Sequence, residues 1–384
     1  MTRDILPALT GLRFIAALGV VCTHFGQTSL PRILRPIAYN GFTGVSLFFV
    51  LSGFILTYTY ARRGTARRAF WLARFARIYP AYLLALVVAT GPLIWNHELS
   101  GWAAAGASPA LVLLTTPLVL QAWFPWVHSV WDGPAWSLSA EAFFYAVFPF
   151  LLPLLTRIPL RRLPLVLLAC YAVALIGPTV YAHTHTNMDP AASLEIVMFW
   201  PPMHLPEFVF GMVVGCIYLA PLHMTNRIAS TLSSATCLVL LYTLNSGDAI
   251  LSIYSFNGLW TPQFGILILS LAYGHGPIAR MLSTSAMMRL GEASYAVYLL
   301  HWPLHAWIER IIGVSDAEAR ASLPFFAAYL ALTILSALIV YAAVEVPARR
   351  WIRVRFTGQA QESAHGSTPS SLGSSDPCTS STFA

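Results

Sequence analysis

The first apolar stretch of the chain, residues 9–24, carries two side chains that hydrocarbon rejects, Arg13 and His24. On an ideal helix the eleven positions between them turn through about 1,100° and rise about 16 Å, leaving the two within about 20° in azimuth. An arginine near the centre of a bilayer costs about 3 kcal/mol on insertion scales, and such residues generally face a bundle interior or a wet cavity. The spacing therefore predicts a fixed cation and a titratable base on one stripe of the first helix. The alternative is that Arg13 snorkels to one membrane surface while His24 sits at the other.

Other apolar stretches carry polar residues at helical spacing. Ser137, Glu141 and Tyr145 fall at i, i+4 and i+8, a polar stripe on an otherwise apolar helix. Glu141 is expected at a depth similar to that of His24. A histidine whose tautomer is held, or whose proton is shared, by a carboxylate is the usual general-base arrangement; a structural Glu–Arg pair is the competing reading. Arg74 and Arg77 share a face at i and i+3, and two planar guanidinium forks suit the phosphates of a ligand. Lipid headgroups would account for the neighbouring Arg62, Arg63, Arg67 and Arg68 without any ligand. Ser294, Tyr298 and His301 align at i, i+4 and i+7, and Pro303 frees a carbonyl in the same region, as in helices that line a site. Glu207 lies near a helix amino terminus, where the dipole alone favours an acid. Glu345 lies at the end of the last apolar run, near several arginines. His301 with His305, and His183 with His185, have metal-ligand spacing but no matching acidic or cysteine ligands, so no metal site is expected.

The elements that hold these residues are membrane helices. Hydrophobic residues make up 57% of the 384 positions and charged residues 10%, with a mean hydropathy of +0.66. An ordinary soluble domain has about a quarter of its residues charged. The net charge of +7 comes from arginine alone among the basic residues, clustered between apolar runs as topology signals are. No aromatic-interleaved basic patch points to nucleic acid. The five cysteines have no disulfide or zinc spacing, and Arg13 interrupts what would be the core of a cleavable signal peptide.

Ten crossings are predicted: 5–25, 42–60, 78–95, 136–156, 164–181, 204–219, 228–244, 256–273, 294–312 and 323–344. A further run, Ala110 to Phe124, is read as a re-entrant or outer-surface segment between the third and fourth helices. Counting it as a crossing would put Arg157, Arg161 and Arg162 outside. With ten crossings and both termini in the cytoplasm, the outer loops keep only Arg32, Arg35, Arg310 and Arg320. The fold class is thus an all-α polytopic membrane protein: residues 1–356 form the transmembrane domain, and 357–384, rich in Ser, Thr, Gly and Pro, a disordered cytoplasmic tail.

Several pieces of the chain, in order, resemble the integral-membrane acyltransferase family 3, whose members O-acylate surface polysaccharides and related acceptors. They are Leu9–Ala16 with His24, Gly44–Gly53, Arg74–Pro80, Trp136–Glu141, Ser294–His301 and Glu345–Pro347. The resemblance implies a ten-helix core, a cytoplasmic acyl-CoA donor, a catalytic role for His24, support from Arg13, and donor binding by Arg74 and Arg77. The sequence departs from the family pattern at Thr10, where many members have Asp, and at His204, where an Arg often stands.

Together these readings predict a multi-pass bacterial inner-membrane enzyme that moves an acyl group, expected to be acetyl, from acyl-CoA to a hydroxyl of a cell-surface or exported glycan. The expected catalytic set is His24, Glu141 and Arg13; Ser137, Tyr145, Glu207, Ser294, Tyr298 and His301 are expected to line the site. No cofactor beyond the donor substrate is expected, and no nucleic-acid partner. Acylation of a small hydroxylated metabolite such as a macrolide is the alternative on the same scaffold. A non-enzymatic transporter of a lipid-linked or acylated sugar is the alternative from another class.

Overall fold

The computed structural model describes residues 6–62, 66–95, 107–124, 126–184, 190–245 and 252–357, and among these the protein is helical with no strand. The predicted tail from residue 358 onward lies outside the described residues. The long helices are α1 (Pro7–Val21), α2 (Gly44–Tyr60), α3 (Arg67–Trp95), α4 (Trp136–Leu155), α5 (Leu163–Thr184) and α6 (Leu205–Leu219). They continue as α7 (Asn226–Asn245), α8 (Thr261–Ala272), α9 (Ser285–Ile312), α10 (Leu323–Val340) and α11 (Val346–Thr357). Proline within the first two positions starts α1, α6, α8 and α10, where a missing N–H costs nothing. Gly313, in the left-handed region at φ 73°, ends α9.

Eight helices, α1 to α7 and α10 with its continuation, are long and apolar enough to cross a membrane. Together with the family established below, they make this a multi-pass membrane protein. The predicted eighth crossing is divided. A short helix, Ser252–Phe256, is followed by a turn containing Gly258 at φ 93° and then by the 12 residues of α8. The ninth is the 28-residue α9, which is more polar than its neighbours because it lies inside the bundle; Ser294, Tyr298, His301 and His305 are all buried. It packs against α1, α3 and α10.

Between α3 and α4, the seven-residue helix Pro109–Thr115 rises about 10 Å, well short of the hydrocarbon thickness. The turn after it gives its carbonyls to buried or half-buried hydroxyls. Tyr82 donates to Thr116 O at 2.6 Å, Tyr79 to Pro117 O at 3.1 Å and Ser139 to Val119 O at 2.7 Å. Irregular backbone buried in membrane protein persists only when satisfied in this way.

α2 packs extensively against α6, and the contact depends on reciprocal glycines. A Cβ at Gly53 would stand 2.0 Å from Phe208 O, and one at Gly211 1.9 Å from Val50 O. Small residues that let backbones touch drive helix association in lipid. Gly211→Val is expected to cost at least about 1–3 kcal/mol, the usual range for overpacking. Wild-type resistance to denaturation in detergent would show that the two helices separate without penalty.

Candidate active site

Six helices converge on a cavity of about 270 Å³. Arg74 and Arg77 of α3 and Arg349 and Arg353 of α11 line one end; Arg353 is exposed, so this end reaches the surface. Arg13 of α1 lines the interior with Glu141 and Tyr145 of α4. Ser137 of α4 and Tyr298 of α9 also line it, and their hydroxyls are 2.7 Å apart. Both hydroxyls also lie within hydrogen-bond distance of Pro134 O, at 3.2 and 2.8 Å. That cluster joins α4 to α9 at the far end of the polar lining.

The lining is strongly cationic. Five arginines share it with one carboxylate, Glu141, whose Oε1 accepts a short hydrogen bond from Tyr145. Glu345, 2% exposed, lies behind the wall within electrostatic range of Arg13, Arg77 and Arg349. It sits in a π turn, Tyr341–Glu345, between α10 and α11. Arg13 interacts with Glu141 and Glu345 and is opposed by Arg77. Among the described residues no group of three or more His, Cys, Asp or Glu is placed to hold a metal.

His24 is not part of this lining. α1 widens into a π turn at Cys22–Gly26, so 3.6-residue counting no longer applies where His24 lies. The two residues serve different levels of the bundle: Arg13 lines the cavity, and His24 meets α9 beyond the lining. His24 Nδ1 lies 2.8 Å from His301 Nε2, with the rings nearly parallel at 10°. His301 Nδ1 lies 2.6 Å from Tyr298 O, and Tyr329 donates to His301 O at 2.8 Å. The carbonyl of His24 accepts a short hydrogen bond from Arg320, which the short helix Asp316–Ala321 between α9 and α10 carries. That helix is closed by a capping box, and the Ser315 hydroxyl and amide hold the Glu318 carboxyl below its ordinary range.

Three expectations need correcting. Glu141 does not meet His24; it is held by Tyr145 inside the cavity, and His301 takes the place beside His24 that was expected for a carboxylate. Glu207 is fully buried but outside the cavity lining, 3.0 Å from His204 Nδ1, while His204 Nε2 lies 2.9 Å from Met198 O. His204, the departure from the family pattern, is thus the partner of that acid. Ser294 donates to Gly291 O within its own helix at 2.7 Å and does not line the cavity. Ser137, Tyr145 and Tyr298 do line it, with Arg13, Arg74 and Arg77. Sequence reading did not single out Arg349 or Arg353 as site residues. Their i, i+4 spacing on one helix face was the available signal.

Comparison with known proteins agrees with this architecture. A family profile described as an acyltransferase domain matches residues 6–343. Acyltransferase MdmB of Streptomyces mycarofaciens is 31% identical over 364 residues, covering 90% of this chain and 92% of that protein. O-acetyltransferase OatA of Staphylococcus aureus is 26% identical over 374 residues, again 90% of this chain but only 57% of OatA. No solved structure matches the chain. A profile spanning nearly all of the helical bundle and a relative matched almost end to end remove the transporter alternative: the chain belongs to the integral-membrane acyltransferase family 3 and is an acyltransferase.

Proposed function

We propose that this acyltransferase takes an acyl group, acetyl in the simplest case, from acyl-CoA at the cytoplasmic face of a bacterial inner membrane. It delivers the group to a hydroxyl of a cell-surface or exported glycan on the outer side. The observation that carries the reading is the polarity of the cavity: arginines from α3 and α11 at one end, and the Ser137–Tyr298 hydroxyl pair at the other. Arg13, Arg74, Arg77 and Arg349, partly buried around one lining carboxylate with Glu345 nearby, give the cavity a cationic excess that favours an anionic ligand. The phosphates of a nucleotide-bearing thioester supply one. Guanidinium forks bind such phosphates bidentately. The positive-inside pattern supports reading the arginine-lined end, and with it both termini, as cytoplasmic.

Tyr298 connects this cavity to the histidine pair: its hydroxyl meets Ser137, and its carbonyl meets His301 beside His24. In the transfer, the acceptor oxygen attacks the thioester carbonyl as His24 removes the hydroxyl proton. The carbon–sulfur bond then breaks, and the leaving thiolate takes that proton from the imidazolium, giving an ester and a free thiol. An acyl-histidine on His24 is the two-step form of the same chemistry.

Sealed vesicles of known orientation test the sidedness. Labelled acetyl-CoA is supplied to one face, and glycan and small hydroxylated acceptors such as a macrolide are offered side by side on the other. Label is expected on an acceptor only when donor reaches the face carrying Arg74 and Arg353; transfer only from the opposite face would overturn the orientation. Cysteine labelling at position 160 is expected from that same face, and at position 316 from the other. Label on the metabolite but not on the glycan would replace the acceptor and leave the donor side standing.

A further inference from the structure

The histidine pair contains a directional signal. A carbonyl oxygen only accepts, so the 2.6 Å contact with Tyr298 O places a proton on His301 Nδ1. In a neutral imidazole the other nitrogen, Nε2, then carries a lone pair. That lone pair faces His24 Nδ1 at 2.8 Å, so the proton between the rings belongs to His24. The remaining lone pair of His24 is consequently on Nε2. The described residues form no hydrogen bond to that nitrogen, and His24 is only half-buried. The unoccupied basic position is therefore defined by a chain of three groups: a backbone carbonyl, a neutral imidazole and a second imidazole.

We infer that His301 is a positioning residue that fixes the tautomer of His24, making His24 Nε2 the atom that receives the acceptor's proton. The inference rests on the reading of His24 as the base. It assigns to an imidazole the task that a carboxylate performs in the Ser-His-Asp arrangement. A neutral partner is suited to this depth, because a carboxylate there would be a further buried charge needing compensation. The surroundings hold His301 in register: Tyr329 donates to its carbonyl at 2.8 Å, and Tyr298, one turn earlier on α9, is pinned through its hydroxyl at Pro134 and Ser137. The aromatic edge of Trp302, at 5.2 Å between ring centres, limits rotation of the His24 ring. As Nε2 takes up the proton, the Nδ1–H donor becomes part of an imidazolium, and its bond to His301 strengthens. The contact is thus stronger in the reacting state than at rest, as a catalytic contact must be.

The test separates this role from a merely structural one. In ¹⁵N spectra of histidine-labelled, detergent-purified protein, the His24 signals are identified by their loss in His24→Gln. They are expected to show a protonated Nδ1 and an unprotonated Nε2. His301→Ala removes the acceptor and is expected to shift the proton to Nε2, the form an unconstrained side chain favours. The wrong tautomer in a serine-protease triad lowers kcat about 10⁴-fold, so a drop of about 10²–10⁴-fold is expected here, with donor KM unchanged. His301→Gln, whose amide oxygen can accept from Nδ1–H, is expected to restore the tautomer and at least part of the rate. A wild-type signal with Nε2 protonated would overturn the proposal, as would an unchanged tautomer and kcat in folded His301→Ala. If that variant does not fold, the wild-type spectrum and the glutamine variant still decide. Because the tautomer is read without turnover, an inactive wild-type preparation or a fully active His24→Gln variant would count against the base reading and not against the assignment of the proton.

Discussion

Purified His24→Gln protein is expected to transfer acyl groups about 10²–10⁴-fold more slowly than wild type, the usual contribution of a positioned general base. Loss of an obligatory covalent carrier would cost more. Glutamine keeps similar bulk, and its amide oxygen cannot take up a proton near neutral pH. Its side chain can still reach His301, so the fold around the π turn is expected to survive, with Arg320 still bonded to the backbone carbonyl of residue 24. Donor binding is also expected to survive, because His24 lies outside the cavity that holds the arginines. The measurement is single-turnover transfer alongside acyl-CoA affinity on the same folded sample. Near-wild-type turnover would remove His24 from the reaction and return attention to the polar cluster of Ser137, Glu141 and Tyr298 inside the cavity.

The second large effect is expected at the donor mouth. Arg74→Ala and Arg77→Ala should each weaken acyl-CoA binding about ten- to a hundredfold, since a hydrogen bond to a charged group contributes about 1.5–3 kcal/mol. Arg77 is expected to be the more sensitive of the two, because it also faces the buried carboxylate of Glu345 and opposes Arg13. Arg74 lies against the rings of Tyr60, Phe70 and Tyr145, each 5.8 Å from the guanidinium carbon, so its substitution also removes packing. Arg161→Ala is the control, an exposed arginine outside the cavity, with binding expected unchanged. Equilibrium binding in detergent or nanodiscs, with the three variants side by side, checks this. Equal affinities throughout would reduce the arginine cluster to a topology signal and leave its anion to be found.

The sequence alone determined that the chain is a helical membrane protein, because apolar runs of membrane length leave the backbone few other ways to satisfy its hydrogen bonds. It also determined the family, through short ordered motifs that survive without any knowledge of contacts, and it singled out Arg74, Arg77, Ser137, Glu141, Tyr145 and Tyr298 of the cavity lining by helical spacing. Ser137, Tyr145 and Tyr298 were legible in that way since residues four apart on a straight helix share a face, and Arg13 because an apolar run rejects its charge. What it did not determine was which stripes meet. No residue pattern announced the π turn at Cys22–Gly26 that carries His24. Only tertiary structure paired His24 with His301, 277 positions away, and left Glu141 to Tyr145. It also packed α11 against α3, so that Arg349 and Arg353 line the same cavity as Arg74 and Arg77. Helical period is a local property fixed by backbone geometry, whereas the contact between two helices depends on glycines such as Gly53 and Gly211 that permit close approach, and on buried polar groups that must find partners wherever the bundle supplies them.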